Sequence, residues 1–215
     1  MVTDTNVRSL LISVVFVMTT VGMAFLMYRI FHFKGETVRK FIHITVSNWV
    51  FILIYGFDTL SYAVTGPILF IMINTAFVYG GFGEYLGMGD RKRDNGLIYF
   101  PITLLILTLC CYRGIISSSS VILGVLAMGY GDGLAALIGS RVGRHKYRAF
   151  GATKSYEGSA VMVITVFIIA VLLGYPVWAG LIIAFVSALL ESVTPLGLDN
   201  LTVPIITALL GELLC

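Results

Sequence analysis

The chain has 215 residues, of which 58% are hydrophobic and 12% charged, and its mean hydropathy is +0.97. A soluble domain runs at about 45 to 50% apolar and about 25% charged, so an ordinary water-soluble globule is excluded and lipid is the main solvent. The formal net charge of +3 conceals a segregation: the 14 Lys and Arg are bunched between apolar runs, a pattern of membrane topology rather than of nucleic-acid binding.

A bilayer core takes about 20 apolar residues per helix. Taken in order, the candidates lie at 10–30, 41–57, 60–80, 97–112, 115–139, 159–174 and 176–191, with a shorter stretch at 201–215. The first run, Leu10 to Met27, is longer than a signal-peptide core and has no small-x-small site before the basic stretch, so it reads as a retained span. Turn signals separate the spans at Gly56 to Asp58, at Gly174-Tyr175-Pro176, and at Pro195 and Gly197. Cys110 and Cys111 are adjacent and Cys215 is the last residue, which supplies neither zinc spacing nor a disulfide framework. The expected fold is one all-α domain over 1–215: a polytopic membrane bundle of seven or eight transmembrane helices, broken around Asp132, without strands.

Placing successive loops on alternate sides puts Arg29, Lys34, Arg39, Lys40, Arg91, Lys92, Arg93, Arg141, Arg144, Lys146, Arg148 and Lys154 on one face. Only Arg8 and Arg113 fall on the other. Twelve against two predicts that the basic loops are cytoplasmic and that the N-terminus lies outside.

Span five carries Met128-Gly129-Tyr130-Gly131-Asp132-Gly133, a carboxylate well inside an apolar run. In a helix Asp132 would sit roughly 12 Å below Ser140. A charge at that depth costs on the order of 2.5 to 3.5 kcal/mol, so an intramembrane Asp marks a functional site unless a neighbouring span satisfies it. The three glycines let other backbone or a ligand come close.

The loop that follows reads Ser140-Arg141-Val142-Gly143-Arg144-His145-Lys146, then Gly151-Ala152-Thr153-Lys154-Ser155-Tyr156-Glu157-Gly158-Ser159. Cations, hydroxyls and small residues before a helix start suit a polyphosphate, with Arg141, Gly143, Arg144, Lys146, Lys154, Ser155, Gly158 and Ser159 as donors; a capped basic helix start is the alternative. No Walker A loop and no Rossmann fingerprint is present. Two carboxylates, Glu191 and Asp199, flank Pro195 and Gly197 and can converge on one hard cation, while Asp199 or Asn200 can equally cap the last helix. Arg39, Lys40 and His43 open span two and suit a substrate or headgroup, or serve as a snorkelling cation and a hydrogen-bonded His. Charge bias places all four clusters at or just below the cytoplasmic surface. That points to phosphoryl or nucleotidyl transfer between a nucleotide and a lipid.

Four motifs then resemble a known family: Arg39-Lys40-x-x-His43, Gly131-Asp132-Gly133-x-Ala135-Ala136-x-x-Gly139-x-Arg141-x-Gly143-Arg144-x-Lys146, Lys154-Ser155-x-Glu157-Gly158-Ser159 and Asp199-Asn200-Leu201-Thr202-Val203-Pro204. Together with the basic loop Arg91 to Pro101 they look like the polyprenol kinases, a group that includes dolichol, phytol and farnesol kinases and CTP-dependent diacylglycerol kinases. The resemblance implies a multispanning kinase that moves the terminal phosphate of a nucleoside triphosphate, commonly CTP, to a lipid hydroxyl with Mg²⁺. It implies that Arg141, Arg144, Lys146, Lys154 and Ser155 hold the triphosphate, and that Asp132 is the base or metal carboxylate. Glu157, Asp199 and Asn200 would complete the metal and nucleotide site, beside Glu191.

The motifs are more distantly similar to CDP-diacylglycerol synthases. Leu198-Asp199-Asn200-Leu201-Thr202 lacks the second Asp of their ending, which favours the kinase. A secondary transporter is the rival from another class, but the Gly/Asp break occurs once, without a counterpart in spans one to four. No nucleic-acid partner is expected.

Overall fold

The computed structural model describes residues 2–33, 35–80, 94–149, 152–195 and 197–215. Lys34, Arg91, Lys92, Arg93, Gly151 and Leu196, singled out in the sequence, lie outside the described residues. Among the described residues the eight apolar runs become eight helical stretches, in an all-α membrane bundle.

The first stretch is α1 (Val2–Arg29), which starts earlier than its apolar run. The reason is polar packing. Asn6 Oδ1 accepts from the Asp58 amide at 3.0 Å, Ser9 donates to the Gly56 carbonyl at 2.5 Å, and Ser13 accepts from Trp49 Nε1 at 2.8 Å. The second stretch is α2 (Gly35–Ser47) and α3 (Trp49–Gly56), jointed at Asn48, whose side chain donates to the Ile44 carbonyl at 2.9 Å. The third is α4 (Leu60–Ala63) and α5 (Thr65–Tyr79). Next comes α6 (Gly96–Tyr112), and then a continuous stretch from Ser118 to Val142.

That fifth stretch is α7 (Ser118–Leu126), a π-helical segment (Ala127–Asp132) and α8 (Gly133–Val142). In its most apolar part 72% of the residues are buried, against 17% for the first and third stretches, so it is the post around which the bundle packs. The break anticipated at Asp132 takes the form of this wider π turn, which adds a residue to the turn without interrupting the helix. A β-hairpin follows, β1 (Lys146–Ala149) and β2 (Ala152–Ser155), pairing Lys146 with Ser155 and Tyr147 with Lys154. Here the expectation of no strands is corrected. The alternation of exposed Lys146 and Arg148 with half-buried Tyr147 and Ala149 is a strand period, and water-facing backbone at the end of a bundle can pair as a ribbon. Three helices close the fold: α9 (Tyr156–Leu172), α10 (Val177–Val193) and α11 (Asp199–Leu213).

Two prolines inside helices explain a pair of long-range contacts. Pro101 has no N–H to give the Leu97 carbonyl, which instead accepts from Asn74 Nδ2 at 2.7 Å. Pro204 likewise frees the Asn200 carbonyl, which accepts from Thr103 Oγ1 at 2.9 Å. In lipid such groups must be satisfied within the protein. The short α11 is thereby fastened to α6. It also packs closely on α7, where a Cβ on Gly124 would meet Ala208 Cβ at 3.0 Å. Thr103→Val keeps the shape and removes the hydroxyl, and is expected to lower stability by about 1 kcal/mol, read as a fall in the detergent melting temperature.

Candidate active site

Depth and glycine together position Asp132. A Cβ on Gly131 would come within 2.6 Å of Met162 Sδ, and one on Gly129 or Gly133 would collide with Ser47 or Ile44, so α2 and α9 approach the post here as no larger residue allows. The close approach of α2 brings Lys40 to the carboxylate. Its ammonium donates to Asp132 Oδ2, and both side chains are buried. An isolated charge of either sign would be costly at this depth; the pair makes both tolerable.

Immediately before Lys40, Arg39 forks back one turn onto Glu36 with bonds of 2.8 and 3.0 Å. One turn after it, His43 lies against Phe100 with ring centroids 4.8 Å apart. The residues opening span two therefore occupy one side of the Asp132 site.

From the other side comes the hairpin. Lys154, on β2, donates to both the carboxylate Oε1 and the backbone carbonyl of Glu191, near the end of α10. Tyr147, paired with Lys154 in the ribbon, bonds Ser159 and Ser192 at 2.7 Å each and so ties the hairpin to α9 and α10. The carboxylates of Asp132, Glu191 and Asp199 and the ammonium groups of Lys40 and Lys154 all lie within electrostatic range. Four motifs spread through the sequence thus meet at one end of the bundle.

Some of the predicted residues have structural work there. Ser155 caps α9, accepting from the Gly158 amide at 3.1 Å, so for this hydroxyl the capping alternative holds. Gly143 and Gly158 lie against Ser155, and Gly158 also meets Gly139, where α8 crosses α9. Ser159 is held by Tyr147. Glu157 turns to the chain after α8: its Oε1 accepts from the Arg144 and His145 amides at 3.1 and 3.2 Å and pairs with His145 Nδ1 at 2.8 Å. Glu157 thereby anchors the 143–145 turn. Arg141, Arg144 and Lys146 are exposed at the mouth, as a polyphosphate would need.

At the start of α11, Asp199 Oδ1 accepts from the Asn200 amide and from Asn200 Nδ2, both at 3.0 Å. Asn200 Nδ2 also donates to the Gly197 carbonyl at 3.1 Å. Among the described residues no three of His, Cys, Asp and Glu are close enough to enclose a metal by themselves. The donor set does fit Mg²⁺ carried in with a nucleotide, since that ion is usually held by one or two carboxylates plus substrate phosphates. Tyr147, Asn74 and Thr103 were not singled out in the sequence. The signal for Asn74 and Thr103 was available, because a proline inside a span frees a carbonyl that some neighbour must meet.

No family model matches the chain, and no solved structure does. Among curated proteins it is similar to the phytol kinase of Synechocystis sp., with 45% identity over 97 residues, 41% of this chain and 42% of the relative. It is similar to the probable chloroplastic phytol kinase of Triticum aestivum, with 34% identity over 144 residues, 58% of this chain and 47% of the relative. The dolichol kinase sec59 of Schizosaccharomyces pombe shares 33% identity over 99 residues, 43% of this chain and 19% of the relative. The matched stretches span less than half the length of each of these three relatives.

Proposed function

We propose that this chain, which belongs to the polyprenol and phytol kinase family, is a lipid-alcohol kinase that phosphorylates an isoprenoid alcohol at the cytoplasmic membrane face, with CTP as donor and Mg²⁺ as cofactor. The observation that carries the reading is the convergence of the Lys40–Asp132 and Lys154–Glu191 pairs at one end of the bundle, one pair deep and the other at the hairpin. A long apolar alcohol stays in lipid while its hydroxyl reaches Asp132. A nucleotide enters past Arg141, Arg144 and Lys146, and its triphosphate draws Lys154 and Lys40 toward itself.

In the proposed step the bond between the terminal phosphorus and the β–γ bridging oxygen breaks as one forms from the alcohol oxygen. The alcohol proton passes to Asp132 and the nucleoside diphosphate leaves. Glu191 and Asp199 would hold Mg²⁺ together with the phosphates, and the ion when bound neutralises charge on the transferring phosphoryl oxygens. Most of the work left to the protein is positioning and electrostatics.

The test is incubation of the purified protein with phytol, farnesol, a polyprenol or diacylglycerol, each nucleoside triphosphate and Mg²⁺. Phosphorylated isoprenoid with release of nucleoside diphosphate is expected. A cytidylylated lipid with pyrophosphate, or no transfer to any alcohol, would end the kinase reading.

The cytoplasmic placement rests on twelve cations against two. It predicts that, in a background lacking Cys110, Cys111 and Cys215, a cysteine at exposed position 145 is labelled from the cytoplasmic side and one at exposed position 115 from outside. The reverse pattern would invert the topology.

A further inference from the structure

Among the described residues, four buried side-chain polar atoms lack a hydrogen-bond partner, and His43 Nε2 is one of them. The level of His43 in the bundle can be read from its neighbours. A Cβ on Gly133 would collide with Ile44, the next residue of α2, and one on Gly129 would collide with Ser47 and meet the His43 carbonyl at 3.5 Å. His43 therefore stands level with the π turn that carries Asp132, inside the apolar stretch. Orphaned polar atoms are rare in folded proteins, and in hydrocarbon there is no solvent to meet them. A ring nitrogen kept at that level calls for a partner that arrives.

The ring is braced, since Phe100 is itself buried and its centroid lies 4.8 Å from that of His43. Lys40, one turn earlier on the same helix, and Asp132 are both within electrostatic range of His43. Of these groups Lys40 is the one that can leave. Its ammonium, on a flexible stem, donates to Asp132 in the unliganded enzyme and is drawn off when a triphosphate enters. With the ammonium gone, the Asp132 carboxylate and the His43 nitrogen are two unpaired polar groups at one level. A carboxylate only accepts, and an imidazole protonated at Nε2 donates there. The group that answers both is a hydroxyl, which gives one proton and accepts another. A phosphate oxygen would set negative charge against Asp132, and a second cation would leave the Nε2–H unmet.

From this juxtaposition we infer that His43 holds the lipid alcohol: its Nε2–H donates to the hydroxyl oxygen while Asp132 accepts the hydroxyl proton, in the place that Lys40 takes in the unliganded enzyme. The inference rests on the kinase reading and deepens it. His43 keeps its own proton throughout. The alcohol proton goes to Asp132, and the oxygen attacks phosphorus with its remaining lone pair. The triphosphate is met from the other side of the site, where the hairpin brings Lys154, so nucleophile and phosphoryl group approach each other in line. One consequence is selection for an oxygen at the end of the apolar chain, because a buried donor left unpaired rejects the analogue that lacks its partner. Another is order: the nucleotide binds first, since it removes the lysine that fills the place of the hydroxyl.

The experiment measures retention of labelled farnesol by the purified full-length protein, with and without a non-hydrolysable CTP analogue, and in parallel the KM for farnesol and for CTP. Wild type is compared with His43→Phe, which keeps a ring against Phe100 and removes the nitrogen, and with His43→Gln, whose amide N–H reaches close to where Nε2 stood. His43→Phe is expected to weaken farnesol binding and raise its KM about threefold to tenfold with the CTP KM unchanged, and His43→Gln to recover most of the loss. Labelled farnesene, which has the tail without the oxygen, should be retained alike by all three proteins. Wild type should hold farnesol more tightly with the analogue than without it. If His43→Phe does not fold, His43→Leu replaces it. Unchanged farnesol binding and KM in the variant would overturn the inference, as would a CTP KM that rises as far as that of farnesol, a Gln variant no better than Phe, or farnesene lost as readily as farnesol. Farnesol held equally well without the analogue would overturn the displacement of Lys40. Retention of farnesol that depends on His43, in a protein that phosphorylates no alcohol, would instead sink the kinase reading and leave the hydroxyl subsite standing.

Discussion

Asp132→Asn is expected to lower lipid phosphorylation by about a hundredfold or more, the lower end of what general-base help contributes. Asparagine keeps the size of the side chain and can still accept a bond from Lys40, but it neither takes a proton from an alcohol nor balances the buried ammonium. Losing one member of a buried ion pair costs about 3 to 5 kcal/mol when the other is left charged, so a fall in activity alone would not separate chemistry from folding. The double variant Lys40→Met, Asp132→Asn does separate them. It removes both charges from the interior, and is expected to restore the melting temperature while turnover stays lost. Recovery of turnover in the double variant would make the pair a structural device, and the proton acceptor would have to be sought at Glu191 or Asp199.

How much of this was legible in the sequence follows from the kind of interaction involved. Eight apolar runs specify the eight helical stretches seen among the described residues because hydrogen-bonding the backbone internally is the only solution available in lipid. Asp132 was legible for the same reason, as a charge in an apolar run that has to be compensated. Its partner was not. Lys40 is 92 residues away, and only the glycines at 129, 131 and 133 indicate which face of the post another helix can approach.

Ser155 and Glu157 show the opposite limit. A hydroxyl and a carboxylate beside a helix start are equally suited to a phosphate or to the helix itself, and the backbone here takes both: Ser155 on Gly158, Glu157 on Arg144 and His145. The hairpin was missed because four-residue strands are too short to carry a periodic signal against a basic loop. Its consequence is functional, since it converts Lys154 from one charge in a flexible segment into one held across Glu191 by a paired Tyr147.

That fixed position makes Lys154 the second large effect. Lys154→Met is expected to raise the nucleotide KM about tenfold to a hundredfold, because a hydrogen bond to a charged group is worth about 1.5 to 3 kcal/mol and each 1.4 kcal/mol is a factor of ten. Methionine preserves the apolar stem, so packing of the hairpin on α10 changes little, but Glu191 loses the cation that offsets its burial. Pairing the substitution with Glu191→Gln removes that stranded charge. Lys154→Met, Glu191→Gln should therefore melt close to the wild type and still bind CTP weakly, whereas Lys154→Arg, which keeps a cation at the end of the same strand, should retain a KM nearer to the wild type. If Lys154→Met leaves both KM and kcat unchanged, the lysine serves only to neutralise Glu191, and the triphosphate must be held by Arg141, Arg144 and Lys146 at the exposed mouth.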